Sequence, residues 1–200
     1  MTINIAIIAF NNVEELDLVG PWEVFQEAAN LDKRFQTQVI SLDGKGVMAA
    51  KGLFLGVHGS MQTNKKYDVI VLPGGVGTDA LIQNKTFLEC LTTLTTQATW
   101  VTSVCTGSFV YAHMGLLKGR KCTTYYDACY GLETKGQTGE VLRNTRFVQD
   151  GHVVTAAGVS AGIDMSLWLI GQLMTTDFAR DVQQKIEYFP EPPYQNDNRI

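Results

Sequence analysis

Three histidines and four cysteines are all that 200 residues offer as imidazole bases or soft metal ligands. The cysteines, Cys90, Cys105, Cys122 and Cys129, are too few for a disulfide framework, and none forms a C-x-x-C pair. No His, Cys and Asp group shows metal-ligand spacing, so the sequence predicts no metal and no cofactor. Charge is scarce too: 18% of side chains, 16 Lys plus Arg against 20 Asp plus Glu, a formal net charge of −4 and no run of one sign. That mild acidity argues against nucleic acid or an anionic membrane as a partner. Long hydrophobic runs are missing. The longest weakly charged stretch, Val153 to Met174, carries Asp164 at its middle and is cut by glycines, which reads as core rather than a membrane span. INIAIIAF has no basic segment before it and no small-residue cleavage site after it, so it reads as a first strand and not as a signal peptide. The expected compartment is the reducing cytoplasm. No repeat, low-complexity tract or linker-like shift divides the chain. Residues 1–187 are therefore expected to form one domain and 188–200 an extended arm or tail.

What is present is a hydrophobic content of 45%, enough for a large core that needs no staple. Short β-branched runs alternate with amphipathic stretches: Ile3 to Phe10, then Pro21 to Ala29; Gln36 to Leu42; Tyr67 to Leu72, then Thr86 to Gln97; Thr99 to Val104, then Thr106 to Leu117. Runs as continuously apolar as DVIVL and WVTSV suit strands buried on both faces. The expected fold class is α/β, a doubly wound, mostly parallel sheet flanked by helices. Val47 to Val57 and Thr145 to Thr155, each broken by glycine, read as hairpins. After the second, Ser160 is placed to cap a long apolar helix with Asp164 in its first turn. Asp177 to Glu187 alternates charge as a solvent-facing helix does.

Three windows carry chemistry. In WVTSVCTGSFVYAHMGLLKG a buried strand runs straight into Cys105, Thr106, Gly107 and a helix, a tight elbow of the kind that holds a nucleophile at the carboxyl end of a strand. Backbone N–H groups at that helix start would lower the thiol pKa and steady an anion. A small buried apolar cysteine is the equally weighted structural alternative. In YDVIVLPGGVGTDAL, Gly74, Gly75 and Val76 follow a neighbouring strand, and the amides of Gly75 and Val76 are candidate oxyanion donors. A phosphate loop does not fit, because the lysine of G-x-x-x-x-G-K is missing. In NNVEELDLVGPWEVF, Asp17 precedes Pro21 at the first turn of a helix. Leu16, Leu18 and Val19 around it would raise its pKa and make it a proton donor, whereas Glu14 and Glu15 are expected to be solvated. Capping of that helix is the plainer role. His113, about 12 Å along a helix from Cys105, cannot be its local base, and His58 and His152 fall in hairpins. Phe10 and Trp22 suit either a pocket wall or the core.

Together, ELDLVGPWEVF, DVIVLPGGVGTDAL, VTSVCTGSFVYAHMGLLKG, VVTAAGVSAGIDMSL and EYFPEPPY resemble the ThiJ/PfpI superfamily, and within it the isonitrile hydratase branch. The resemblance implies a flavodoxin-like fold of the class I glutamine-amidotransferase type, a nucleophilic Cys105, an acidic Asp17 beside it, and a homodimer. It places Thr106 where peptidase-type members carry histidine, which removes the base a peptidase needs. The chain departs from the branch at Thr123 to Tyr126, TTYY in place of TTHW, which puts Tyr125 near the pocket mouth. The implied activity is addition of water to an isonitrile, a small-molecule substrate, through a Cys105 thioimidate. Two alternatives stay open: a glyoxalase-like or deglycase-like enzyme acting on small aldehydes, and a thiol redox sensor or holdase without turnover.

Overall fold

The computed structural model describes residues 1–62 and 64–191. Its chain opens with β1 (Ile3–Ala9), α1 (Glu15–Leu31) and β2 (Phe35–Ser41), followed by a small antiparallel hairpin of β3 (Val47–Met48) and β4 (Phe54–Leu55). Then come β5 (Gly59–Ser60), β6 (Val69–Leu72), α2 (Thr78–Ile82), α3 (Lys85–Gln97), β7 (Trp100–Val104) and α4 (Gly107–His113). The last third holds α5 (Cys129–Lys135), β8 (Phe147–Asp150), β9 (Val153–Ala156), α6 (Ala161–Leu173) and α7 (Thr176–Lys185). Seven strands form one sheet in the order β5-β2-β1-β6-β7-β9-β8, parallel throughout except for the terminal β8–β9 pair. The expected doubly wound α/β sheet and both expected hairpins are present.

The continuous apolar runs explain the layering. All four residues of β6 are buried, as are Val101 to Val104 of β7, so both faces of the central sheet need cover. Helices α1, α6 and α7 pack together, and α2 packs on α3 and α4. Fully burying one Ile or Leu of this core contributes about 1.5–3 kcal/mol. From β1 the chain steps to β2 on one side and later to β6 on the other, so the loops leaving β1 and β6 part company there. This is the switch point at which open α/β sheets bind ligands. The register Leu72↔Ser103 brings the residues just beyond β6 beside those just beyond β7.

Several boundaries differ from the sequence reading. Helix α1 starts at Glu15, six residues before Pro21, which lies inside it. The lost Pro21 N–H is tolerated because Leu18, Gly20, Val24, Phe25 and Ala28 are buried. The helix expected to reach Leu117 ends at His113, and Gly115 and Gly119 turn the chain with φ 77 and 71. Ser160 occupies the N-cap position of α6 but makes no cap bond; its hydroxyl accepts from Arg146 Nη2 at 3.0 Å. Asp164 does lie in the first turn. In α7 only Val182 is buried, consistent with a solvent-facing helix. Of the expected arm, residues 192–200 lie outside the described residues.

Candidate active site

Four strand ends converge on one spot. Cys105 follows β7 with φ 54, a left-handed backbone that a non-glycine residue adopts at a cost of order 1–3 kcal/mol. Its surroundings hold it there. The Cys105 N–H donates to the carbonyls of Ala157 at 3.0 Å and Ala156 at 3.2 Å, and its carbonyl accepts from Thr124 Oγ1 at 2.9 Å and Ser108 Oγ at 3.0 Å. The elbow is as tight as TGS implies. A Cβ on Gly107 would sit 2.4 Å from the Leu72 carbonyl oxygen, and one on Gly74 would sit 2.5 Å from the Thr106 nitrogen.

Asp17, in the first turn of α1, is completely buried. It does not cap its own helix. Its Oδ2 accepts from the Gly74 N–H at 2.9 Å and its Oδ1 from the Val159 N–H at 3.1 Å, and the Cys105 side chain lies near enough to the same carboxyl to oppose, weakly, the rise in its pKa. Burial pushes the Asp17 carboxyl up to about 7; the Gly74 N–H opposes the rise, the nearby Glu14 charge adds to it, and the Val159 N–H opposes it again. The apolar cage expected from its neighbours is only partly there. Leu18 is buried, but Leu16 is 37% exposed and lines a different hollow with Val19, so the loops carrying Gly74 and Val159 complete the enclosure.

For the thiol, the expected lowering is reversed. Burial, and then the Asp17 charge, push Cys105 up to about 12, against the pull of the Thr106 N–H. At 7% exposure Cys105 has lost most of its water, and a helix of seven residues does not replace it. The two groups titrate as a pair, which holds one proton above about pH 7.

The expected donors near Gly75 are largely committed. Gly74 N–H is spent on Asp17, and Gly75 N–H donates to Thr106 Oγ1 at 2.9 Å. Thr106 Oγ1 donates in turn to the Gly75 carbonyl at 3.2 Å, and Thr78 Oγ1 approaches it at 3.3 Å. These bonds fasten the β6 and β7 loops to each other. Gly75 has φ 127, and a Cβ there would meet Asn12 O and Glu14 N at 2.5 Å, so the β1 loop presses on it as well. Val76 stands at the rim, 77% exposed.

Above the pair opens a cavity of about 520 Å³, lined by Cys105, Thr106, Gly75, Val76, Tyr125 and Val159, with Glu14, Ala50, Lys51, Thr78 and Asp79 at its remaining walls. Tyr125 thus reaches the pocket, as its position after the elbow helix suggested. It fits because a Cβ on Gly158 would sit 2.3 Å from its ring. Val159 has φ 52, an outlier for a β-branched residue.

Sequence reasoning missed Val159, Lys51 and the role of Glu14. Glu14 and Glu15 are half-buried rather than solvated: Lys51 Nζ pairs with Glu14 and lies 3.7 Å from Glu15 Oε2, while the Lys51 N–H donates to Glu15 Oε1 at 2.6 Å. The partners lie 36 and 37 residues apart, beyond any local pattern. His113 and His152 are exposed, and His58 accepts from the Val39 N–H at 3.1 Å while stacking on Trp22, so no histidine lines the pocket. Phe10 is core, and Trp22 is half-buried. Among the described residues, no group of His, Cys, Asp and Glu is arranged to hold a metal ion, and no helix is long and apolar enough to cross a membrane.

The comparisons agree with this geometry. Residues 3–172 match the DJ-1/PfpI family. The chain is 34% identical to an isonitrile hydratase of Pseudomonas putida over 97% of its own length and 82% of that protein's. It is 30% identical to the HTH-type transcriptional regulator GbdR of Pseudomonas aeruginosa, covering 84% of this chain and 46% of the regulator. Among solved structures, a ThiJ/PfpI family protein from Pseudomonas syringae superimposes with a TM-score of 0.84 at 28% identity, over 98% of this chain and 78% of the other. Drosophila melanogaster DJ-1beta shares the fold at a TM-score of 0.83 and 19% identity, over 95% and 100%. A strained cysteine elbow, a matching family model over most of the chain and these relatives lead to one conclusion: the chain belongs to the DJ-1/PfpI family.

Proposed function

We propose that this chain is a lyase that hydrates isonitriles, R–N≡C, to N-substituted formamides, with Cys105 as nucleophile and Asp17 as acid and base. The observation that carries the reading is that Gly74, which abuts the strained, buried Cys105, also bonds a buried carboxyl whose pKa lies near neutrality, so thiol and acid are neighbours. The similarity to an isonitrile hydratase over nearly the full chain supports it.

Asp17 takes the thiol proton, and the thiolate forms an S–C bond to the terminal carbon while Asp17 returns that proton to the same carbon. The product is a thioimidate, Cys105–S–CH=N–R. Water then adds to the carbon; Asp17 accepts one of its protons and passes it to nitrogen. The tetrahedral species R–NH–CH(OH)–S loses its hydroxyl proton as the C–S bond breaks, which restores the thiol and releases R–NH–CHO. Every atom of water ends in the product, and the sequence of steps needs no cofactor. Thr106 holds Gly75 against the elbow, and the Val76 amide at the rim is the candidate donor to negative charge in the second step. Tyr125 forms the pocket wall. The same reading takes the protein as a cytoplasmic homodimer.

The test is to incubate purified protein with cyclohexyl isonitrile and assay N-cyclohexylformamide. Formamide from the native protein and none from Cys105→Ala is the expected result. No formamide from folded protein with a reactive Cys105 would sink the assignment.

A further inference from the structure

Val159 carries a side chain that its backbone disfavours. Its φ of 52 lies in the left-handed region, where glycine is at ease and a β-branched residue is not. Its hydrogen bond to Asp17 Oδ1, 3.1 Å long, uses only the N–H, which any non-proline residue supplies. The bond therefore does not account for the isopropyl group. What remains is shape: Val159 lines the cavity with Cys105, Val76 and Tyr125, and its N–H bonds Asp17.

Cys105 is 7% exposed, and Val76, Tyr125 and Val159 line the cavity through which an electrophile comes to it. Head-group geometry decides what passes. The terminal carbon of an isonitrile is digonal and bears only nitrogen, so the R group begins two atoms away from the attacked atom. An aldehyde carbon is trigonal and carries its substituent directly. Residues that crowd the sulfur admit the first and obstruct the second.

We propose that Val159 is a specificity-determining residue, forming with Val76 and Tyr125 a collar that restricts access to Cys105 to slender, rod-shaped head groups. The inference rests on the reading of Cys105 as a nucleophile toward isonitriles, and it also explains why one elbow would favour them over small aldehydes.

Two measurements test it, one of them independent of isonitrile turnover. The first follows modification of Cys105, by peptide mass spectrometry, with methyl methanethiosulfonate (slender) and N-ethylmaleimide (broad). Val159→Ala is expected to raise the rate with N-ethylmaleimide relative to the slender reagent about tenfold or more, in line with what a lost pair of methyl groups does to pocket discrimination. Val159→Gly, which also relieves the backbone, is expected to act in the same direction and serves if the alanine variant folds poorly. The second compares kcat/KM for tert-butyl against n-butyl isonitrile, whose ratio is expected to rise in the same variants. An unchanged reagent ratio in both folded variants overturns the collar. If the native protein turns over isonitriles while that ratio stays fixed, the collar alone fails. If the ratio rises but no isonitrile is hydrated, the collar stands and the hydratase reading fails.

Discussion

Cys105 and Cys122 are both buried thiols, and burial raises both: Cys105 to about 12, Cys122 to about 11. Resting acidity thus fails to tell a working cysteine from a packing one. Their surroundings differ in kind. Cys122 lies in a bridge with Val141, its backbone tied to Glu140 and Leu142 by 2.8 Å bonds, and Cys129 and Asp150 raise its pKa through their charges. Cys105 has a left-handed backbone, a buried carboxyl nearby, and a cavity above it. If Cys105 is the nucleophile proposed above, a neighbouring carboxyl and an open cavity, rather than a depressed pKa, distinguish it from Cys122.

The largest expected contrast comes from removing each thiol by a cysteine-to-alanine change. Cys105→Ala should abolish formamide production, a loss on the scale of about 10⁶-fold seen when a nucleophile is removed. Turnover surviving that change would end the covalent scheme. Asp17→Asn keeps the shape but cannot shuttle the proton, and kcat is expected to fall about 10²- to 10⁴-fold in protein that still folds.

The pH dependence has two parts with opposite signs. In the proposed scheme turnover needs the pair to hold one proton, so kcat/KM should rise through an apparent pKa near 7; below it Asp17 is already protonated and cannot accept the thiol proton. Stability runs the other way. The native carboxyl keeps its proton to about pH 7 while the unfolded one releases it near 4, so the folded state binds more protons in between and loses stability as pH rises through that window. The loss is a few kcal/mol at most, and urea titrations at pH 4.5 and 7.5 should show it in the native protein but not in Asp17→Asn. A native protein equally stable at both would contradict the buried acid.

Smaller effects follow. Thr106→Val removes the hydroxyl whose two bonds to Gly75 tie the loops together and should lower kcat/KM about tenfold or less, since each such bond contributes only about 1 kcal/mol net. Least affected should be Cys122→Ala, which leaves kcat/KM unchanged and costs about 1 kcal/mol of stability, read as a shift in melting temperature.

The parts legible in the sequence were those with local causes. DVIVL and WVTSV announce buried parallel strands because burial on both faces leaves no polar alternation, and CTGS after a strand announces an elbow because only Gly107 fits against the Leu72 carbonyl. What escaped depended on distant partners. Glu14 and Glu15 read as solvated because Lys51 reaches them from the β3–β4 hairpin. Pro21 resembles a helix start, yet burial of α1 against α6 extends the helix six residues upstream of it. Val159 looks like any valine until its φ and its bond to Asp17 are known.

The close fit of Tyr125 over Gly158 makes these two positions a single unit of variation. With only 2.3 Å between a Cβ at 158 and the ring, any larger residue there displaces the ring, and a smaller residue at 125 leaves a hollow that glycine cannot fill. Single substitutions at either place should therefore be poor guides to the pair, and libraries that reshape this pocket should vary both together, because their effects will not add.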